Sequence, residues 1–174
     1  MDFSIIENVK PLETDVIHCL RAAEGWLELG SAKEAAAELE NLASDLQEHP
    51  VVLEMRWQIS AKELRWDAAK EVAQAIVAQL PEKAAGWLHL SYATRRAAGG
   101  SVAAAWDVLF PVAKKFPDVP LIPYNLACYA CQLGQMELAR EWLRKALVIN
   151  AARYRLMALQ DSDLKPLWSE IAEM

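Results

Sequence analysis

Two pairs of residues in this sequence have types and spacing that could do chemistry. Cys128-x-x-Cys131 could share a metal ion or cycle as a dithiol. A zinc site of that kind needs a second pair of ligands, and none stands at useful spacing. A reactive dithiol gains acidity at a helix N-terminus, whereas this pair falls in the middle of an expected helix. The cysteines therefore read as small buried apolar side chains, with a thiol turned toward a partner as the alternative. Asp161-x-Asp163 could chelate a cation, but no third carboxylate or histidine stands near it in sequence, so capping of a final helix is the better reading. Gly99-Gly100-Ser101 lacks the lysine and preceding strand of a phosphate loop. His18, His49 and His89 are scattered, and no G-x-S-x-G, H-E-x-x-H or triad-like arrangement occurs. The expectation is no catalytic residue, no metal, no cofactor and no enzymatic activity. An enzyme assembled from residues distant in sequence stays as a third hypothesis, which a screen for bound metal or cofactor would test.

The elements that would position these residues are helical. The chain has 174 residues, 54% of them hydrophobic, enough to bury a sizeable core. Alanine is abundant and Gly and Pro are sparse, which favours helix. No alternating β-branched run is long enough for a strand. The net charge of −6 disfavours a nucleic-acid backbone as partner. Three cysteines are too few for a disulfide framework. The first residues show no secretory signal, and no stretch has the apolar length to span a bilayer, so a cytoplasmic location is expected. Of the seven tryptophans, Trp26, Trp57, Trp87, Trp106 and Trp142 fall on apolar stripes and are expected in the core. Trp66 directly follows a turn, and Trp168 is expected to seal a C-terminal cap.

After a lead-in over residues 1–12, Thr14 is expected to cap a first helix from Asp15 to Leu29, ended by Gly30. Ser31 is expected to cap a second helix that fades before His49-Pro50. A third follows Pro50. A fourth begins after a break at Leu64-Arg65 and ends at Pro81. The fifth ends at Gly99-Gly100, and Ser101 caps the sixth, which Pro111 should kink. The stretch from Pro123 to Asn150 supplies the seventh and eighth, broken at Gly134. The tail is expected as a helix to about Leu159, a break at 161–163 and a short last helix through Leu167, Trp168 and Ile171.

The breaks at Gly30, Leu64, Gly100 and Gly134 are 34, 36 and 34 residues apart. Five residues past each stands an alanine (Ala35, Ala69, Ala105, Ala139), and four further on stand Leu39, Ala73, Leu109 and Leu143. A period of about 34 residues is that of a helix–turn–helix repeat, and on these residues the chain resembles the tetratricopeptide repeat family. Four units are expected at about 15–49, 50–81, 82–117 and 118–150, with a C-terminal cap over 151–174, in a single domain. The fourth unit matches best through Asn125-Leu126-Ala127, Gly134, Ala139, Leu143 and Ala146. The second departs most, with Leu64 for the turn glycine and Trp57 where a small residue is usual.

The resemblance implies an all-α fold: a right-handed α-α superhelix of antiparallel helix pairs, about ten helices, closed by the capping segment. It also implies a concave groove lined by the first helix of each unit. The alignment places Ile17, Leu20, Glu24, Leu27 and Glu28 there in the first unit, Val51, Glu54, Gln58, Ala61 and Lys62 in the second, Leu88, His89, Tyr92, Arg95 and Arg96 in the third, and Leu121, Tyr124, Asn125, Cys128 and Gln132 in the fourth. Arginine forks match carboxylates and tyrosine adds amphipathic area, so an acidic or C-terminal carboxylate is expected near Tyr92, Arg95, Arg96 and Asn125. The competing reading of Arg95 and Arg96 is a solvated helix C-terminus that welcomes cations. Asn125 fits one element of a chaperone-tail clamp, but the clamp lysines are missing. The expected function is a protein-interaction scaffold binding a peptide or protein surface. The alternative is a small dedicated chaperone, like the acidic tetratricopeptide chaperones of bacterial secretion, holding a partner segment as a dimer.

Overall fold

In a computed structural model the protein is all-helical, and residues 13–173 are described. The lead-in over 1–12 lies outside them. Nine α-helices occur among the described residues, in order: α1 Thr14–Glu28, α2 Ala32–Glu40, α3 Pro50–Lys62, α4 Trp66–Gln79, α5 Ala84–Arg96, α6 Val102–Leu109, α7 Leu121–Gln132, α8 Met136–Gln160 and α9 Trp168–Glu173. Short 3-10 turns occur at Ser44–Leu46, Phe110–Val112 and Ser162–Leu167. No strand occurs among the described residues, and no helix among them is long and apolar enough to cross a membrane.

Sequence-adjacent helices pack on each other, α1 on α2, α3 on α4 and α4 on α5, then α6 on α7 and α7 on α8. The alanine register explains the closeness. Ala35, Leu39, Ala69, Ala73, Ala105, Leu109, Ala139 and Leu143 are all 2% exposed or less. A methyl group at a helix crossing lets the two backbones approach, and one turn on Leu39, Leu109 and Leu143 fill the space beside it, with a second alanine, Ala73, in the other unit. Gly86 does the same for α5. A Cβ there would lie 2.9 Å from Ile76 Cγ2 on α4.

Three of the turns share one hydrogen-bond pattern. Ser31 N donates to Trp26 O, Arg65 N to Ser60 O and Gln135 N to Ala130 O, at 2.8–2.9 Å. In each, the preceding residue is in the left-handed region: Gly30, Leu64 and Gly134, at φ of +83°, +57° and +76°. This is the Schellman closure of a helix C-terminus, and Leu64 adopts it without being glycine. The exception is the third turn. Ala97 is extended, Ala98 N is held by Asp67 Oδ1 at 3.0 Å, and the positive φ falls on Gly99, one residue before the expected break.

Contacts divide the chain into two compact units at that turn, one ending at Ala98 and one starting at Gly99. In the first, Leu20, Leu39, Val52, Met55 and Ile59 form the centre of the core. In the second, Leu109, Ile122, Leu126, Leu143, Leu164 and Ile171 are fully buried. Arg140 on α8 pins α9 by a two-pronged fork to Glu170, at 2.6 and 2.7 Å.

Several caps differ from expectation. Glu13, not Thr14, precedes α1, with no side-chain cap bond. Ser31 bonds the Glu34 carboxylate instead of a backbone amide. Ser101 caps α6 as expected, accepting from Ala104 N at 3.0 Å. The second helix stops at Glu40, where Gln47 Nε2 donates to the carbonyls of Leu39 and Leu42 and satisfies its C-terminal end. Pro111 ends α6 rather than kinking it. In the tail α8 runs to Gln160, with non-helical angles at Asn150, whose Oδ1 accepts from Arg153 N and restarts the helix.

The tryptophans expected in the core are not fully buried. All seven are half-buried or exposed. The indole N–H favours a polar rim: Trp26 donates to Glu38, Trp87 to Pro81 O and Trp168 to Ala158 O.

Candidate functional site

Of the sequence-selected polar residues of the first unit, Glu24 and Glu28 lie on α1, Glu54, Gln58 and Lys62 on α3, and His89, Tyr92, Arg95 and Arg96 on α5. On α5, His89, Tyr92 and Arg96 are spaced three and four apart, which aligns them on one helix face. The His89 ring stacks on Trp57 of α3, with centroids 3.7 Å apart and planes 17° from parallel. His89 Nε2 and Glu54 Oε1 lie 2.6 Å apart. Tyr92 meets Trp57 edge-on at 6.3 Å and Trp66 of α4 at 5.6 Å. The Arg96 guanidinium lies 3.5 Å from the Tyr92 ring centroid and 5.4 Å from that of Trp66, and its Nη1 donates to Tyr92 O at 3.1 Å. The result is a ladder from Glu54 through His89, Trp57 and Tyr92 to Arg96.

Tyr92 is the open rung of that ladder, and Arg96 beyond it is half-buried. Glu54, Trp57 and His89 are half-buried, whereas Tyr92 is 39% exposed. Burial acts to raise the Glu54 carboxyl, but hydrogen bonds from His89 and Gln58, with the charge of His89, hold it below the usual carboxylate range. The Trp57 indole Nε1 is buried with no hydrogen-bond partner among the described residues. Lys62 is exposed in the last turn of α3, and Arg95 is half-buried on α5. A guanidinium held against a tyrosine ring is restrained in position, and its fork of donors suits a carboxylate.

Tyr124, Asn125 and Cys128 lie on α7, in the second unit. Tyr124 is 3% exposed, with its ring against Tyr154 at 5.4 Å and its hydroxyl donating to Asp161 Oδ2 at 3.0 Å. Burial first, with the Asp161 carboxylate beside it, pushes its hydroxyl pKa well above the usual value. Cys128 Sγ lies 3.5 Å from the same Asp161 oxygen, and Asp161 Oδ1 accepts from Asp163 N at 2.9 Å. Trp168 Nε1 and Gln132 Nε2 donate to the carbonyls of Asp161 and Asp163. Asp161 is therefore the hub that fastens the C-terminal segment to α7. What Tyr124 and Cys128 could offer a partner is taken up by that segment, and Asn125 beside them is half-buried.

The Cys-x-x-Cys pair divides along its helix. Cys128 faces Asp161, and Cys131 lies 3.9 Å from Met136 Sδ, its thiol pKa pushed up by burial and by Asp163. No cysteine among the described residues is disulfide-bonded. The third metal-ligand type absent near Asp161-x-Asp163 in sequence is supplied in space. Sγ of Cys128 and one oxygen each of Asp161 and Asp163 lie within 4.8 Å of one another. Both Asp161 oxygens already accept hydrogen bonds, so the cluster as it stands is a latch.

The repeat alignment places Glu54 in the groove, but Trp57 and Trp66, which complete the α3–α5 cluster, escape it. Its apolar stripe points Trp57 to the core. Its place one turn after Glu54 and beside Gln58 was the available signal. No protein-family model matches the chain, and no curated protein sequence is found similar to it.

Proposed function

We propose that this chain is a tetratricopeptide-type repeat protein that works as an interaction scaffold, and that the α3–α5 face of its first unit binds an acidic or C-terminal peptide carboxylate. The repeat reading is supported by positive φ at residues 30, 64, 99 and 134, intervals of 34, 35 and 35 residues, and by fully buried alanines in register with them. The observation that carries the binding reading is the Arg96 guanidinium stacked 3.5 Å over a partly exposed Tyr92. Tyrosine and arginine dominate the energetics of many protein interfaces, and here each fixes the other before a partner arrives, which lowers the entropy lost on binding.

In this reading Arg96 receives the carboxylate, Tyr92 supplies contact area, Arg95 and Lys62 add positive charge, and His89, Trp57 and Glu54 form the rigid floor. Tagged protein would be used to capture partners from native cell extract, beside the variant carrying Arg95→Glu and Arg96→Glu. The partner should be lost from the variant while its helical circular dichroism is retained. A partner retained equally by both proteins would refute the assignment.

A further inference from the structure

Pro111 stops α6, and the chain from 113 to 117 turns aside. It lines a hollow of about 600 Å³ in the second unit, whose other wall is α8 and whose edge includes Pro123 of α7. The hollow is predominantly apolar. Phe110 is 47% exposed there and Ile149 is exposed as well. Its aromatic wall is braced. Trp142 meets Phe110 at 6.1 Å and Trp106 at 6.4 Å, both edge-on, and Phe110 stacks on Trp106 at 5.0 Å. The only charged residues in the lining, among those described, are Lys114 and Lys145. Lys145 Nζ lies 3.7 Å from the Trp142 ring centroid. The Trp142 indole Nε1 is buried with no hydrogen-bond partner among the described residues.

From these features we propose that the hollow is a second docking site, for an amphipathic acidic segment of a partner protein. Its apolar side chains would enter between Phe110, Trp142 and Ile149, and its carboxylates would pair with Lys114 and Lys145. The charge selects the occupant. In a chain of net charge −6, an apolar hollow edged solely by lysines attracts acidic segments and repels basic ones. The shape selects a segment over a lipid surface, since a concavity accepts projecting side chains whereas a bilayer presents a broad plane. The site uses no residue of the α3–α5 face and is independent of the function proposed above.

The test uses fluorescence anisotropy on the full chain. One probe is a labelled peptide of about 16 residues with Leu and Phe at helical spacing and Glu elsewhere, and the other carries Lys for Glu. The Glu peptide should bind at least about tenfold more tightly than the Lys peptide, with the preference shrinking at high salt. The double variant Lys114→Glu, Lys145→Glu should reverse the preference, and Phe110→Ala should weaken both peptides with helical circular dichroism at the assay temperature retained. The variant carrying Arg95→Glu and Arg96→Glu should bind as the parent does, which separates this site from the other. No Glu-peptide binding up to about 1 mM, or equal binding of both peptides, would overturn the proposal. So would binding to phosphatidylglycerol vesicles without binding to the peptide. A dimer in sedimentation that the lysine variant splits, with no peptide binding, would assign the hollow to a second copy instead.

Discussion

Leu64 is the described residue whose backbone and side chain disagree. It is the only non-glycine at positive φ among the described residues, yet it closes α3 with the same bonds that glycine makes after α1 and α7. A side chain in that conformation costs about 1–2 kcal/mol, and at 69% exposure Leu64 recovers little by burial. Leu64→Gly should therefore raise stability by about 0.5–1 kcal/mol, after the greater freedom glycine has when unfolded is subtracted. Urea unfolding measures this, and a loss of stability would show that the leucine side chain makes an offsetting contribution. Glu54 gives a second residue-scale prediction. Its folded carboxyl lies below the ordinary value of 4.5, so the folded state binds that proton less readily than the unfolded chain does. The resulting stabilisation is present above about pH 4.5 and is lost as pH falls through the lowered folded value. Glu54→Gln should flatten the acid limb of a stability–pH curve, and an unchanged limb would contradict this.

Among the elements, the helix pairs depend on what stands where they cross. Ala139 is fully buried where α8 packs on α7, so Ala139→Leu should force the pair apart at a cost of about 1–3 kcal/mol. Unfolding with an unchanged denaturant midpoint would show slack at the crossing. These crossings were legible in the sequence because small residues recur in register with turn residues. The boundary at Asn150 was legible too, and it coincides with the break inside α8. Two features were harder to place. At Gly99-Gly100 either glycine could take the left-handed angle, and the Asp67 side chain that holds Ala98 lies 31 residues away. The tryptophans shared the apolar stripes of the core, but Trp26 and Trp87 turn their N–H groups to polar partners at the rim. Periodicity registers the stripe and not the proton.

At the scale of the molecule, an all-helical chain with its own internal register was readable from composition and period. The candidate site was readable only in part. Tyr92 and Arg96 stood out because arginine and tyrosine a helical turn apart share a face. Glu54 was legible through the repeat alignment, whereas the supports Trp57 and Trp66 come from other helices and no local pattern joins them. For the same reason Tyr124 and Cys128 looked available on α7, whereas Asp161, 37 and 33 residues away, covers them. The central claim is that Arg96, set over Tyr92, receives a partner's carboxylate. The most direct measurement is calorimetric titration of a captured partner into the parent protein, Tyr92→Ala, and the variant carrying Arg95→Glu and Arg96→Glu. Tyr92→Ala should weaken binding by about tenfold or more and the double variant by about a hundredfold, with helicity unchanged. Equal dissociation constants for all three proteins would contradict the account.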